Sequence, residues 1–435
     1  MESVPKDRRD DAQSALARSV VIVGGGTAGW MTAASLAHRL ARLGVEITLV
    51  ESSAVGTIGV GEATVPAIRR YFHSLGLSAF EVMKATNGTV KLAIEFDGWR
   101  HEGHSFMHPF GSFGLEAGPV AFNHLWTRLR RSANPGELDE YSMGAQLARA
   151  GRVTMPPDDA RVDFEHFDWA VHFDAAKFAS FLRVFAESRG VRRVDAKVAE
   201  VLTNGEHIEG IRLESGDRLD ASLFVDCSGF HRVLIEKALH SGFVDWRHWL
   251  VCDRAVAMPC AHADPGDLAP STRSRALDAG WAWRIPLQNR VGNGYVYSSD
   301  HISDDAAVSV LRGQLEGAAL AEPHVVRFRA GHVKRFWIGN CVAIGLACGF
   351  LEPLESTSIS LIQMGIDKLL HFWPDEPVAP ERAAALVAEY NRLSVVEYER
   401  IRDFIILHYS ANGRTRGELW KYCREMTLPE TLTRK

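Results

Sequence analysis

Residues 19–51 read "SVVIVGGGTAGWMTAASLAHRLARLGVEITLVE", and this stretch decides the fold. A short apolar run, typical of a buried parallel strand, is followed by the pattern GxGxxG, a helical pattern to about Leu43 and a second strand. Gly24 allows a tight turn, Gly26 allows the backbone to approach a pyrophosphate, and Gly29 allows the helix to pack on the strand. Glu51 ends the second strand, where an acid can bind ribose hydroxyls. The stretch predicts a Rossmann-like dinucleotide-binding unit rather than a merely structural glycine-rich turn.

The type of dinucleotide is indicated further along the chain. Residues 197–229 predict three extended segments, joined by turns at Asn204-Gly205 and at residues 215–217, and they end in "DCSG". Such a meander fits the inserted sheet of FAD-binding domains better than a simple NAD domain. The sequence has no second strand–GxGxxG–helix unit, and the near match "GVGEAT", residues 59–64, is predicted to lie in a loop. FAD without a pyridine-nucleotide site implies that another protein reduces the flavin.

The overall composition excludes several classes of protein. Among 435 residues, 49 Lys and Arg stand against 54 Asp and Glu, a net charge of -5, which argues against a nucleic-acid-binding protein with a broad basic surface. Residues 1–18 predict a flexible tail without the apolar core of a signal peptide, and no apolar run approaches the roughly 18 residues of a membrane span. Six dispersed cysteines without a CxxC pattern predict buried thiols in a reducing cytoplasm.

Two short stretches contain candidate residues that pattern alone does not assign. Lys91 lies in "NGTVKLAIEFDGW", and a single strand there would place Lys91 and Glu95 on one face and Leu92 on the other. Pattern alone favours a solvated lysine. Trp281 and Trp283 lie two apart in "GWAWRIP", so both indoles face one side of a strand, where a core is more common than a cofactor wall.

Residues 352–363, "EPLESTSISLIQ", predict the start of a helix that Ser356 or a neighbour caps. The first turn of a helix has four unpaired N–H groups and a partial positive charge, so a small anion can bind there. Ordinary capping is the alternative. Glu352 and Glu355 are costly beside an apolar segment unless they are hydrogen-bonded or used in the chemistry.

Several motifs together resemble the flavin-dependent tryptophan halogenase family. They occur in the family's order over about residues 20–409, and "GWAWRIP" together with GxGxxG is highly specific for the family; the motifs are "VIVGGGTAGWM", "GVGEATVP", "NGTVKLAIEF", "HFD", "DCSG", "GWAWRIP" and "FLEPLEST". The resemblance implies an enzyme in which reduced FAD and oxygen oxidise chloride or bromide. The resulting hypohalous acid then reaches a lysine through a tunnel and halogenates an electron-rich arene.

The same resemblance assigns roles to individual residues. Lys91 matches the lysine that receives the oxidant, and Glu355 matches the acid that assists attack on the ring and removal of its proton. The backbone N–H groups of Thr357 and Ser358 match the halide site. The residues implied to line the substrate pocket or its wall are His108, Phe110, Trp281, Trp283 and Ser356. Those implied to bind FAD are Gly24, Gly26, Gly29, Glu51, Gly61, Ala63, Val198, Asp226, Gly345 and Leu354.

The resemblance also implies partners and shows departures. A separate NAD(P)H flavin reductase would supply reduced FAD, with no nucleic acid or membrane partner, and a homodimer is left open. Tryptophan-specific members continue past the point at which this chain ends, so a simpler indole or phenol is expected as substrate. Ser358 replaces a glycine of the tryptophan enzymes. The alternatives are a flavin-dependent aromatic monooxygenase, which Trp281 and Trp283 argue against, and a non-catalytic FAD-binding relative.

The predicted fold class is α/β: an FAD-binding Rossmann-like domain with an inserted β meander, a β-sheet substrate domain and C-terminal helices. The FAD module is expected at residues 19–100, 160–235 and 330–373. The substrate-binding part is expected at residues 101–159 and 236–329, and helices at residues 374–435 are expected to close the pocket.

Overall fold

The computed structural model describes residues 18–54, 61–114, 118–154, 168–264, 266–373 and 379–434. In these residues the helices are α1 (Thr27–Arg39), α2 (Ala67–Ser74), α3 (Ala79–Ala85), α4 (Phe122–Leu129), α5 (Met143–Arg149), α6 (Ala175–Glu187), α7 (Asp304–Gln314), α8 (Thr357–His371), α9 (Pro380–Ser410), α10 (Glu418–Glu425) and α11 (Glu430–Thr433). The strands are β1 (Ser19–Val23), β2 (Glu46–Glu51), β3 (Gly61–Ala63), β4 (Thr89–Lys91), β5 (Ala93–Asp97), β6 (Ser105–Pro109), β7 (Ala170–Asp174), β8 (Arg192–Asp195), β9 (Val198–Asn204), β10 (His207–Leu213), β11 (Arg218–Leu219), β12 (Leu223–Asp226), β13 (Phe243–Asp245), β14 (Arg254–Ala257), β15 (Ser271–Leu277), β16 (Gly280–Pro286), β17 (Val291–Tyr297), β18 (His324–Arg327), β19 (Gly331–Val333), β20 (Trp337–Ile338), β21 (Cys341–Ala343) and β22 (Gly349–Phe350).

The dinucleotide unit predicted at residues 19–51 is confirmed as the centre of a six-stranded sheet. The order is β20-β21-β12-β1-β2-β8, parallel except for the edge strand β20. β1 pairs with β2 in the register Ile22↔Leu49 and with β12 in the register Ile22↔Val225. β1 has a neighbouring strand on each side and is buried on both faces, which explains why its residues are almost all apolar. The first helix ends at Arg39, before a short 3-10 turn, rather than near Leu43.

The predicted meander is also confirmed. β9, β10 and β11 form an antiparallel three-stranded sheet, and the fourth extended segment, β12, joins the central sheet. The prediction of a loop for residues 59–64 is wrong in the described part: β3 is a strand that pairs with β7, Glu62 opposite Phe173. The strand forms because it pairs with β7, which is distant in the sequence. The sequence around it does not alternate between apolar and polar residues, so pattern alone does not predict a strand. Residues 59–60 lie outside the described residues.

The single strand considered for the segment around Lys91 is not formed; the segment contains two strands. The chain breaks at Leu92: β4 pairs with β7 in a small sheet, whereas β5 pairs with β15 in a seven-stranded sheet of order β18-β14-β17-β16-β15-β5-β6. The amide of Leu92 instead donates to Pro270 O (2.8 Å). β5 falls inside residues 19–100 of the expected FAD module but belongs to the sheet of the expected substrate part. The domain boundaries stay a prediction.

The C-terminal part is helical, as predicted. α8 and the 31-residue helix α9 pack together, and α9 also contacts α10 and α11. All six cysteines are buried and unpaired, in agreement with the prediction of free thiols. No described helix is both long and apolar enough to cross a lipid bilayer.

The glycines of the first turn give a test of the fold. A Cβ at Gly29 would lie 1.8 Å from Gly24 O, whereas a Cβ at Gly26 would meet nothing within 4 Å. We expect Gly29→Ala to lower the free energy of unfolding of the apoprotein by about 3 kcal/mol through overpacking, although alanine is the better helix former. Gly26→Ala should change it by no more than about 0.5 kcal/mol. Urea unfolding of both variants checks this, and equal losses would contradict the packing role of Gly29.

Candidate active site

A cavity of about 870 Å³ opens at the carboxyl ends of β1, β2 and β12. This is where open parallel sheets bind nucleotides. Among the residues predicted to bind the cofactor, those on its wall are Gly24, Gly26, Glu51, Gly61, Ala63, Val198 and Gly345.

The cavity fits FAD on local observations. Gly26 precedes α1 in an extended conformation without a side-chain cap, so the first amides of α1 are free for a pyrophosphate. The space that a Cβ at Gly26 would fill is empty. Glu51 accepts hydrogen bonds from Trp30 Nε1 (3.2 Å) and Arg193 Nε, which fix its carboxylate on the cavity wall at the end of β2. Sequence reasoning missed Arg193, because only the β2–β8 pairing brings it to Glu51.

Three residues predicted to bind the cofactor do not line this cavity: Gly29, Asp226 and Leu354. Gly29 serves helix packing, as described above. The buried carboxylate of Asp226 accepts hydrogen bonds from the amides of Ser228, Leu234 and Ile235 at 2.8–3.0 Å. Asp226 therefore holds the loop after β12 in place. Leu354 is buried in the core.

The segment between the two glutamates contains a residue in an unusual conformation. Ser356 occupies the N-cap position of α8, one of the positions predicted, but it is left-handed, with φ 59° and ψ 36°, and its side chain makes no capping hydrogen bond. Its hydroxyl instead accepts a hydrogen bond from Lys91 Nζ at 2.7 Å. Ser356 also lines the flavin cavity, together with Ser358. One side chain thus joins the cavity to the lysine behind it.

The start of α8 suits a small anion. The amides of its first turn have no acceptor within the helix, and they carry the positive end of the helix dipole. The hydroxyl oxygen of Thr357 is buried and has no hydrogen-bond partner in the described part of the chain. Ser358 faces the flavin cavity. The residues predicted to hold a halide therefore fit such an ion.

Lys91 is fully buried, which excludes the solvated-lysine alternative. Its ammonium group donates to Thr64 O (3.0 Å) and to Ser356 Oγ, and it lies 5.2 Å from the centre of the Phe110 ring. Burial lowers the pKa of Lys91 to about 7, although the nearby charge of Glu355 acts in the opposite direction. Near neutral pH this lysine is therefore present both as an ammonium donor and as a neutral amine.

Glu355 lies beside two imidazoles. Its Oε1 accepts from His108 Nδ1 and His408 Nε2, both at 2.8 Å. Burial would raise the pKa of Glu355, but the hydrogen bonds and charges of the two histidines outweigh it and lower that pKa to about 2. For His108 the two effects have the opposite signs. Burial acts to lower the pKa of His108, but the hydrogen bond and charge of Glu355 outweigh burial, so this pKa is raised. Sequence reasoning missed His408, which lies in α9 without a local signal.

Glu352, three residues before Glu355, has a different environment. It is fully buried, and its Oε2 accepts from Trp281 Nε1 (2.9 Å) and from the Tyr409 hydroxyl. Burial raises the pKa of Glu352 to about 7, and the two donors only moderate this. Trp281 and Trp283 face the same side of β16, as predicted, with ring centroids 6.2 Å apart, and both line the flavin cavity. Glu352 therefore anchors the indole of Trp281 in the cavity wall.

These features define the class of protein: a flavoenzyme whose cofactor cavity leads, through Ser356, to a buried lysine and an ionised glutamate. Comparison with known proteins agrees. The tryptophan halogenase family matches residues 19–435. Tryptophan 6-halogenase SttH from Streptomyces toxytricini is 37% identical over 96% of this chain and 82% of that protein. Tryptophan 7-halogenase RebH from Lentzea aerocolonigenes is 35% identical over 96% of this chain and 80% of that protein.

Solved structures support the same assignment. BrvH, a flavin-dependent halogenase from Brevundimonas sp. BAL3, has a TM-score of 0.91 and 47% identity, and the match covers 97% of this chain and 84% of that one. Xcc4156, a flavin-dependent halogenase from Xanthomonas campestris, has a TM-score of 0.91 and 41% identity, and the match covers 97% of this chain and 83% of that one. The chain belongs to the tryptophan halogenase family, and it is a flavin-dependent halogenase that uses reduced FAD and a halide.

The raised pKa of Glu352 can be tested without an activity assay. With a pKa of about 7 in the folded protein against an ordinary 4.5, Glu352 holds more protons in the folded than in the unfolded state between these values. The free energy of unfolding should therefore fall as pH rises through this window, by up to ~3 kcal/mol. Glu352→Gln should remove this loss.

The measurement is urea unfolding at pH 5 and at pH 8. For each protein, the free energy of unfolding at pH 8 is subtracted from that at pH 5. Comparing this difference between wild type and Glu352→Gln isolates the ionisation of Glu352 from the local effect of the amide. The control is Glu46→Gln, at an exposed site on β2, which should keep the pH dependence of the wild type. An identical pH dependence in all three proteins would contradict the raised pKa.

Proposed function

We propose that this enzyme halogenates an electron-rich, indole- or phenol-type arene, with chloride or bromide, at a site between Lys91 and Glu355. When bound, reduced FAD supplies, with oxygen, the oxidation of the halide to hypohalous acid. The observation that carries the proposal is the hydrogen bond from Lys91 to Ser356, since Ser356 lines the flavin cavity while Lys91 is buried behind it. An oxidant made at the start of α8 therefore lies close to a nitrogen that can hold it.

Lys91 has two properties that suit this role. As an ammonium it donates a hydrogen bond to the oxygen of hypohalous acid, which makes the halogen more electrophilic. As a neutral amine, available because burial lowers its pKa to about 7, it can instead carry the halogen. Both forms hold the oxidant in one place, so the geometry of the bound arene, and not the oxidant, sets the position of attack.

Glu355 supplies the base. Its low pKa keeps it ionised at neutral pH, so the carboxylate stabilises the positive charge that develops on the ring when the halogen adds. The same carboxylate then accepts the ring proton. It lies on the substrate side, between His108 and His408, rather than on the wall of the flavin cavity.

The substrate side is lined by rings. His408 packs against Phe96 and Phe404 with centroid distances of 5.1 and 4.8 Å, and His108 contacts Phe404 at 6.2 Å. Such surfaces favour a planar arene. SttH and RebH are named for tryptophan; for this chain we propose the ring as the recognised part, and an indole or phenol without an amino-acid group as substrate.

The proposed partner is a separate NAD(P)H flavin reductase. The described residues provide one dinucleotide cavity with a GxGxxG turn, and reduced flavin must therefore come from outside. The six buried, unpaired cysteines support a reducing cytoplasm as the compartment. Trp281 and Trp283 in the cavity wall support halogenation over direct oxygen transfer from the cofactor to the arene.

The function is tested with a panel of indoles, phenols and free tryptophan, with FAD, NADH, a flavin reductase and bromide or chloride, read by mass spectrometry. We expect halide-dependent product from the wild type, and hydroxylated product without halide would instead support a monooxygenase. Lys91→Ala should abolish halogenation because the nitrogen that holds the oxidant is removed, while FAD binding persists because Lys91 does not line the flavin cavity. Lys84→Ala, at an exposed lysine of α3, should retain activity. Halogenation at the wild-type rate by Lys91→Ala would refute the role of Lys91.

A second variant tests the base. Glu355→Gln should slow halogenation by roughly 100-fold at saturating arene, the usual effect of removing a positioned acid or base. FAD affinity should not change, since Glu355 does not line the flavin cavity. Single-turnover product formation, started by adding the arene, measures this step directly. An unchanged rate would remove Glu355 from the mechanism.

A further inference from the structure

His408 has acceptors on both sides of its ring. Its Nδ1 lies 2.8 Å from Phe404 O, one helical turn earlier in α9, and its Nε2 lies 2.8 Å from Glu355 Oε1. Each ring nitrogen of His408 therefore has an oxygen atom within hydrogen-bonding distance, and the one next to Nε2 belongs to the glutamate.

The two imidazoles converge on one oxygen atom. His108 Nδ1 also lies 2.8 Å from Glu355 Oε1, whereas Glu355 Oε2 has no hydrogen-bond partner in the described residues. The two histidines come from different elements, His108 from β6 and His408 from α9. A carboxylate held in this way cannot rotate without breaking two charge-assisted hydrogen bonds.

Other charged groups near Glu355 are few in the described structure. Lys91 contributes a positive charge from β4, and its attraction to Glu355 acts on both groups. Glu352, on the same segment, faces away, towards Trp281 and Tyr409. The state of the Glu355 carboxylate is thus set by Lys91, His108 and His408.

We propose that His408 is a positioning residue for removal of the ring proton: with His108 it occupies Oε1 of Glu355 and so presents Oε2 to the substrate. The inference rests on the proposed function. In the step it serves, the C–H bond at the halogenated carbon breaks, its electron pair restores the aromatic ring, and the proton bonds to Oε2. The proton then leaves Oε2 for solvent.

Loss of the His408 donor has a definite consequence for pH dependence. Burial acts to raise the pKa of Glu355, and the histidines oppose it. With fewer donors the pKa of Glu355 rises, so Glu355 becomes protonated as pH falls and the rate drops below the new pKa, about tenfold per pH unit. The wild-type glutamate stays ionised over the same range.

A matched pair of variants tests this. His408→Leu removes the donor, whereas the side-chain amide of His408→Gln can donate to Glu355 in place of Nε2. Single-turnover halogenation rates are measured from pH 5.5 to pH 8.5 and divided by the wild-type rate at each pH, which cancels the pH dependence of flavin chemistry. We expect this ratio to fall about tenfold or more towards pH 5.5 for His408→Leu and to stay level for His408→Gln.

Circular dichroism and FAD affinity establish that both variants fold. A level ratio for a folded His408→Leu would overturn the inference, because a merely structural role lowers the rate equally at every pH. A ratio that falls in the same way for His408→Gln would overturn it too.

A second measurement does not depend on activity. In protein labelled with ¹⁵N-histidine, NMR should show a His408 signal that His408→Gln lacks and that shifts in Glu355→Gln, because Nε2 then loses its carboxylate partner. A His408 signal that Glu355→Gln leaves unchanged, or that changes on adding a chelator, would overturn the inference. If this signal is found but no arene is halogenated, the proposed function fails and the hydrogen-bond arrangement stands.

Discussion

The hydrogen bond between Lys91 Nζ and Ser356 Oγ is the contact on which the rest of this active site depends. It joins residues 265 positions apart, and both are buried. A buried ammonium group is costly unless its protons are donated, and Ser356 and Thr64 are the acceptors that make it tolerable. Ser356 makes this contact from a left-handed backbone conformation, which costs about 1 kcal/mol or more and persists because the surrounding structure enforces it.

The two glutamates beside Ser356 show how partners, and not burial, decide the behaviour of a carboxyl group. Glu352 and Glu355 are three residues apart and both buried, yet the pKa of one is raised to about 7 and that of the other is lowered to about 2. Glu352 meets an indole and a phenol, which donate hydrogen bonds but carry no charge. Glu355 meets two imidazoles, which can carry charge as well as donate. One acid is thus suited to holding Trp281 in place and the other to accepting a proton.

Helix α9 connects these two environments. His408 and Tyr409 are neighbours in the chain, and they contact Glu355 and Glu352 respectively. A movement of this helix would therefore affect both Glu355 and the wall of the flavin cavity. α9 thus contacts the two glutamates on either side of Ser356.

The sequence by itself determined the dinucleotide unit, the meander, the paired tryptophans and, by resemblance, the family. Each of these is read from contiguous residues, because a strand, a glycine turn and a helix form one local unit. Only the tertiary structure decided the break at Leu92, the strand at residues 61–63, the missing side-chain cap at Ser356 and the contacts of His408 and Arg193 with glutamates. These depend on pairing and hydrogen bonds between distant segments. Nothing in the sequence around Lys91 distinguishes it from a surface lysine, since its burial is produced by residues far from it in the chain.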